Sequence, residues 1–387
     1  RYALEPTITN PHGVILRERD WLGRVHRDYY VENGTHHDVQ EMTPGGNLLA
    51  GYSNLKDSME NSVVEIDRKT GKILKQADLN DLLDEKLKRI PDWIHVNAVS
   101  YDPKRKTVLV CSRNLHSVIQ INWETGELDW ILGHPEFWKG TRVEDKLLKW
   151  EDPEMPWFFQ AHAAYFLPED MDGNPDTRQL ILFDNHWHKR TPVPFFDETR
   201  KGSYGKFYCI NDKTRTVSFV KEFEAIKSPI RANAQYVDKM RRVFVMSSYL
   251  VKTTEDGLDG MMYEYDYDTG ELYNQYGVFH SFFRAYGFFP EFQKSGEAID
   301  YDDSAFELGH TRKPAKVSGI DFSHAKNMHG LSVIQFKKLS QKVKRKLRRK
   351  KEKSKEPVRK VRSEFKVKEY KKNGLTNELS KDEILQE

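Results

Sequence analysis

The same eight-residue pattern returns four times along the chain, and it narrows the fold more than any other feature. It reads Val64-Glu65-Ile66-Asp67-Arg68-Lys69-Thr70-Gly71, then Ile119-Gln120-Ile121-Asn122-Trp123-Glu124-Thr125-Gly126. It returns as Tyr208-Cys209-Ile210-Asn211-Asp212-Lys213-Thr214-Arg215 and as Tyr263-Glu264-Tyr265-Asp266-Tyr267-Asp268-Thr269-Gly270. In each copy alternating apolar residues lead to an Asp or Asn and then to a Thr-Gly-like pair. The alternation is the period of a strand, and glycine supplies the positive φ of a tight hairpin turn. Asp20-Trp21-Leu22-Gly23 is a degenerate copy near the start.

A second repeat lies between these turns, over 37–54, 97–114, 162–186 and 233–249. Each copy opens on His37, Asn97, His162 or Asn233 and holds two strands around a turn. The second strands are apolar throughout: Leu48-Leu49-Ala50-Gly51, Val108-Leu109-Val110-Cys111, Leu180-Ile181-Leu182-Phe183 and Val243-Phe244-Val245-Met246. Two hairpins per repeat make a four-stranded unit. Such units recurring every ~40–55 residues are the signature of propeller blades. The longer interval before Arg215 implies inserted loops around 134–156 and 187–204. A β-sandwich has hairpins too, but it has no need to repeat its turn chemistry. The expectation is an all-β, six-bladed β-propeller of four-stranded blades over residues 1–336, followed by a charged extension over 337–387, helical or disordered.

Charge supports that division. The chain of 387 residues carries 62 Lys+Arg against 59 Asp+Glu, but residues 337–372 alone hold 19 basic and 4 acidic side chains. The remaining body is acidic, with 43 basic against 55 acidic residues, so a nucleic-acid partner coated by the whole surface is not expected. The basic segment reads as a solvated tail or as a contact with anionic surfaces. Aromatic residues at 12% and apolar residues at 38% suffice for a packed core. No apolar run approaches the ~20 residues of a membrane-spanning helix. The chain starts at Arg1 without Met, so a removed leader stays open. Cys111 and Cys209 allow at most one disulfide. Cys111 also reads as a small buried apolar residue.

The chemistry lies in the histidines, 14 in number. In a propeller the first strand of each blade lines the central channel, so equivalent residues of successive blades converge. The repeat makes His37, Asn97, His162 and Asn233 equivalent. His95 falls two residues before Asn97, and Arg113 ends the second strand of the same blade. Imidazoles around a guanidinium suit a tetrahedral oxyanion, because the guanidinium fork matches sulfate or phosphate oxygens. A neutral imidazole is both nucleophile and proton carrier near neutral pH.

The chain resembles the bacterial aryl-sulfate sulfotransferases over roughly residues 10–290. The motifs that carry the resemblance are His36-His37-Asp38, Pro44-Gly45-Gly46-Asn47-Leu48-Leu49, Asp92-Trp93-Ile94-His95-Val96-Asn97-Ala98-Val99-Ser100-Tyr101-Asp102, Ser112-Arg113-Asn114, a Gln-His element and Phe183-Asp184-Asn185. The resemblance implies a six-bladed propeller and no cofactor. It also implies ping-pong transfer of a sulfuryl group from a phenolic sulfate ester to an acceptor phenol, through a sulfohistidine. It makes His162 the nucleophile, His95 and Arg113 the pair holding the transferring group, and His37 the remaining catalytic histidine, with His36 leaving that register open by one. The family's Gln directly precedes its nucleophile, whereas here Ala161 separates Gln160 from His162. His36, Asn97, Asn185, Trp157 and Phe158 are candidate substrate contacts, and Trp187, Phe195 and Phe196 could stack phenol rings. The transferring group resembles sulfur trioxide, so positioning and electrostatics dominate. Family members work outside the cytoplasm, so the expected location is periplasmic or extracellular, with the cytoplasm still open. A homodimer is compatible with this reading.

Two rivals come from other classes. One is a metal-dependent propeller lyase or hydrolase with His36, His37, His186 and His188 as ligands. The other is a propeller that only binds partners, which has no need of converging His and Arg side chains. No phosphate-cradling loop, nucleophile elbow or RNA-reading motif occurs, so nucleotide dependence is not expected.

Overall fold

The protein is described by a computed structural model over residues 3–6, 14–19, 25–31, 33–54, 58–152, 154–167, 171–251, 254 and 257–286. All of them fall in the first of two units, Arg1–His310. The basic segment and the 336/337 boundary lie outside the described residues, as does the turn at Asp20-Trp21-Leu22-Gly23.

The described chain forms five sheets in sequence order. The first holds β1 (Ala3–Pro6), β2 (Val14–Arg19) and β3 (Val25–Val31). The second holds β4 (Thr35–Glu41), β5 (Leu48–Tyr52), β6 (Ser62–Ile66) and β7 (Ile73–Asp78). The third holds β8 (Val96–Asp102), β9 (Thr107–Ser112), β10 (Ser117–Asn122) and β11 (Leu128–Leu132). In the fourth, β12 (Lys149–Trp150) adds a parallel outer strand to β13 (His162–Phe166), β14 (Thr177–Asp184), β15 (Ser203–Asn211) and β16 (Thr216–Ala225). The fifth holds β17 (Asn233–Val237), β18 (Arg242–Ser247), β19 (Gly260–Asp266) and β20 (Leu272–Val278). Apart from β12, every pairing within a sheet is between sequence neighbours and antiparallel. The first strands of successive sheets adjoin: β4 lies against β8, β8 against β13 and β13 against β17. Four-stranded meanders set side by side by their first strands are blades of propeller type.

Both repeats are structural. The Asp/Asn-to-Thr turns close the outer hairpins β6–β7, β10–β11, β15–β16 and β19–β20. In each turn the Asp or Asn side chain accepts backbone N–H groups two and three residues on, as Asp67 does from Lys69 and Thr70 at 2.7 and 2.8 Å. Gly71, Gly126 and Gly270 then take φ of 76°, 79° and 76°, while the third copy places Arg215 there at 58°.

The blades pack through both faces, which is why their second strands are apolar at every position rather than alternately. Along β9, Val108 and Val110 join a core with Leu49 and Val63 of the second sheet, whereas Leu109 and Cys111 join one with Leu180 and Leu182 of the fourth. Along β14, Ile181 and Phe183 turn the other way, onto Ala234 and Val245 of the fifth sheet. Cys111 and Cys209 are both free. Burial pushes the Cys111 thiol up to about 12, so Cys111 packs as an apolar residue. The first predicted insert carries the short helix Pro135–Trp138 and β12, and the second runs as irregular chain up to β15.

Candidate active site

The site forms where β4, β8 and β13 begin. Each entry breaks the ladder: pairing shifts between His36 and Val39, between Val96 and Ala98, and between His162 and Tyr165. The same places force non-glycine residues into the left-handed region, with φ of 56° at His37, 54° at His95 and 54° at Ala163. Arg231 and Ala232 do so ahead of β17, at 63° and 77°. Such conformations cost about 1 kcal/mol or more each and persist where the surroundings over-determine them, as at functional sites. A bulge re-aims side chains, and here it turns imidazoles toward one another. The ladder also settles a register: His36 pairs with Gly51 as His162 pairs with Phe183. His36, not His37, therefore stands level with His162, and His37 projects one residue further on. His95 precedes β8, and Arg113 follows β9 by one residue, where the sequence expectation makes it the last residue of that strand.

His162 is 2% exposed. Its Nδ1 lies 2.6 Å from Asn185 Oδ1 and 3.2 Å from the Gln160 carbonyl oxygen, both acceptors, so Nδ1 carries the proton. The Asn185 amide cannot turn round, because its Nδ2 donates to the carbonyls of Ser228 at 2.7 Å and Arg231 at 3.1 Å. Nε2 is left with its lone pair, which meets the Arg231 N–H at 3.3 Å. Burial, reinforced by Arg113, His95 and Arg284, holds the imidazole well below its usual range and therefore neutral. His162 thus combines neutrality with a fixed tautomer, and among the described residues its Nε2 lone pair is engaged only by the backbone N–H of Arg231. The side chain of Gln160 turns away to Thr191 Oγ1 at 3.1 Å.

His95 is the opposite case. Burial opposes its charge, but Glu60 and Asp92 raise its pKa to about 9, so it is an imidazolium at neutral pH. Its Nδ1 donates to Asp92 Oδ2 at 2.7 Å and pairs with Glu60 Oε2 at 2.6 Å. His37 packs edge-on against it, ring centroids 4.7 Å apart, and its Nδ1 lies 3.1 Å from His36 Nδ1. Burial keeps His36 and His37 neutral, lowering His37 the further.

Arg113 is 3% exposed, and among the described residues its Nε and Nη2 have no hydrogen-bond acceptor; Nη1 reaches Asn114 Oδ1 at 3.4 Å. Burial, then Arg190, lowers even this guanidinium to about 10. A buried cation with two unanswered donors is built for an anion. Arg284 adds a second buried guanidinium, with Nη1 3.1 Å from Asp38 Oδ1 and Nη2 donating to the Asn97 carbonyl. Donor atoms of His36, His37 and Glu60, and of Glu60, Asp92 and His95, also lie close enough together to hold a cation. Arg113, Arg190 and Arg284 crowd that place with positive charge, which favours an anion there.

Other predicted residues go elsewhere. Asn97 is buried and ties blades together, its Nδ2 donating to the Ala161 carbonyl at 2.8 Å. Asn233 holds Ala285 through both backbone groups, at 2.7 and 3.0 Å. Phe158 is 2% exposed and packs on Tyr208, and Trp157 packs on Trp150 and His134. Neither meets the histidine cluster. His186 faces Asp184 and the Asp197 carbonyl, and His188 stacks on Phe196, so neither joins His36 and His37 as the metal rival required. A cavity of about 1620 Å³ opens instead from His37, Arg231 and Arg284, with Tyr165, Tyr236 and Phe283 in its wall. Glu60, Arg190, Arg231 and Arg284 went unnoticed in the sequence. Asp92 stood three residues before His95 in a quoted motif, but Glu60 arrives from a β5–β6 loop with no local signal.

The result is a blade-built, all-β protein with a buried, cationic, imidazole-lined site at the starts of its first strands. The Arylsulfotransferase (ASST) family profile matches residues 7–281, and the chain belongs to that family. Arylsulfate sulfotransferase AssT of Escherichia coli O6:H1 (strain CFT073) is 23% identical over 343 residues, covering 69% of this chain and 54% of that protein. The chain thus spans about half the length of that relative. Among solved structures, Kuenenia stuttgartiensis hydrazine synthase is 13% identical over 67% of this chain and 58% of its own, with a TM-score of 0.38. The Dos1 propeller is 12% identical over 68% of this chain and 50% of its own, at 0.34. Likeness at that level defines neither fold nor function.

Proposed function

We propose that this chain moves a sulfuryl group from a phenolic sulfate ester to an acceptor phenol in two steps, through a sulfohistidine at His162. The observation that carries the proposal is the His162 ring, neutral, buried and pinned by Asn185 so that Nε2 is its nucleophilic nitrogen. In the first step Nε2 attacks sulfur, the sulfur–aryl oxygen bond breaks, and its electron pair leaves with the phenolate. Arg113 and the His95 imidazolium hold the equatorial oxygens, where charge grows in the transition state. In the second step neutral His37 takes the proton of the acceptor phenol as the phenol oxygen attacks sulfur and the nitrogen–sulfur bond breaks. His37 then gives that proton up to solvent, and the phenolate released in the first step takes one from solvent, so the cycle balances without a cofactor. The cavity beside His37 admits the aryl group, with Tyr165, Tyr236 and Phe283 in reach as stacking partners. Membership of the family supports the reaction class.

The same reading takes six blades and places the protein outside the cytoplasm, to be checked by fractionation. Incubation with an aryl sulfate alone, followed by intact-mass analysis, is expected to add one sulfuryl group at His162. His162→Asn is expected to abolish both the adduct and transfer. Full transfer by that variant would overturn the assignment.

A further inference from the structure

We propose that Glu60 is a positioning residue of this site: its carboxylate, set against the His95 ring, holds the His95 imidazolium with its free Nε2–H toward the transferring group. The proposal rests on the sulfuryl-transfer reading above.

Glu60 is placed for this by its own backbone. It sits between β5 and β6 at φ 51°, its N–H donates to Ser53 Oγ at 2.6 Å, and its carbonyl accepts the Val96 N–H at 2.8 Å. The carboxylate is thereby moored to the segment that carries His95. Oε2 lies 2.6 Å from His95 Nδ1 and Oε1 3.6 Å from His37 Nδ1. Among the described residues its one charged partner is the His95 imidazolium, with the neutral His37 ring beside it. Asp92 Oδ2 takes the hydrogen bond from His95 Nδ1 at 2.7 Å but is shared with Arg190 at 3.1 Å and Asn114 at 3.3 Å, whereas Glu60 Oε2, with no hydrogen-bond partner among the described residues, meets His95 as a close opposite charge. The groups facing His95 are His36 and His37 from β4, His162 from β13, and Arg113 and Arg190 from the loops after β9 and β14. Burial disfavours a proton on His95, and Glu60 first, then Asp92, outweigh it. Without Glu60 the ring keeps only Asp92 against burial, so its proton comes off at a lower pH and Arg113 faces the equatorial oxygens with less help.

The test uses the full chain with an aryl sulfate and a phenol across a pH series. Wild type is expected to hold its kcat up to an alkaline limb near pH 9. Glu60→Gln, with Asp92 still in place, is expected to move that limb down to about pH 7.5, part of the way to the ordinary histidine value, giving about ten-fold loss of kcat at pH ~8.5, little loss at pH ~6 and a smaller change in KM. Glu60→Asp should bring the limb back up. The His95 Nδ1 proton, seen far downfield by NMR in wild type, should exchange away in Glu60→Gln at alkaline pH. A loss by the same factor at every pH overturns the proposal. So does a stoichiometric divalent metal bound by wild type and lost in the variant, because it would make Glu60 a ligand. If wild type forms the His162 adduct and the variant profile merely parallels it, only the Glu60 proposal falls. If wild type forms no adduct, the sulfotransferase reading falls with it.

Discussion

Asn185 meets the His162 Nδ1 proton with an amide where a carboxylate could also accept it, and the choice has a chemical consequence. A carboxylate would add charge to the ring and favour its protonated form. The amide fixes the same tautomer at 2.6 Å while leaving the imidazole neutral and nucleophilic. Under the proposed function the ring would become cationic on carrying a sulfuryl group at Nε2, and a neutral acceptor would stabilise that state only modestly, leaving the group easy to pass on. Asn185→Leu keeps the branched shape and removes the acceptor, together with the donations to the Ser228 and Arg231 carbonyls. It is expected to lower the single-turnover rate of adduct formation by about 10–100-fold, with little change in aryl sulfate binding, measured by quenched-flow mass analysis. An unchanged rate would show that the tautomer is set elsewhere. At this scale the sequence showed which residue types were present, and His162, His95 and Arg113 were legible from the repeat and the motifs. The partner of each was not. Asn185 read as a substrate contact, and Glu60 was invisible, because both act across distances in sequence that only folding closes.

Elements were the most legible level. The Asp/Asn-to-Thr turns carry their own instructions: a side chain that accepts two backbone N–H groups, then a residue at positive φ. Gly126, at φ 79°, isolates the second instruction, since an added Cβ there would meet nothing within 4 Å. Gly126→Ala is therefore expected to cost about 1 kcal/mol from backbone strain alone, read as a lower urea midpoint with unchanged m-value. Arg215 holds the same position at 58° and accepts that strain. What the turns could not reveal is the irregularity at the opposite ends of the blades. The bulges at His36–Val39, Val96–Ala98 and His162–Tyr165 shift the register by packing, not by local chemistry. That is why His36 rather than His37 came to stand level with His162.

Across the whole molecule, the same burial that tunes the site sets the pH range of stability. His36, His37, His116, His134 and His162 are held neutral chiefly by burial, with His116 and His134 lowered to about 4. A histidine with a lowered folded pKa gives stability that is complete above its ordinary value of 6.5 and lost as the pH falls toward its folded value. His95 works in the opposite sense: its stability is present below 6.5 and lost as the pH rises through about 9. Five groups act on the acid side and one on the alkaline side. Acidification from about pH 7 to about pH 5 is thus expected to lower Tm by roughly 5 °C, followed by circular dichroism. A constant Tm would mean that these rings are already solvated.

The sequence by itself determined the strands, their turns and the four-stranded blades, because alternation, side-chain-capped turns and runs apolar on both faces are local rules repeated along the chain. It also pointed to His162, His95 and Arg113 as one group near the starts of first strands and the end of a second. Only the tertiary structure decided their charge states and their work. Burial and neighbours from other blades leave His162 neutral, make His95 an imidazolium and deny Arg113 an acceptor. Those energies depend on desolvation and on distances of a few ångströms between segments remote in sequence, and no local pattern records them.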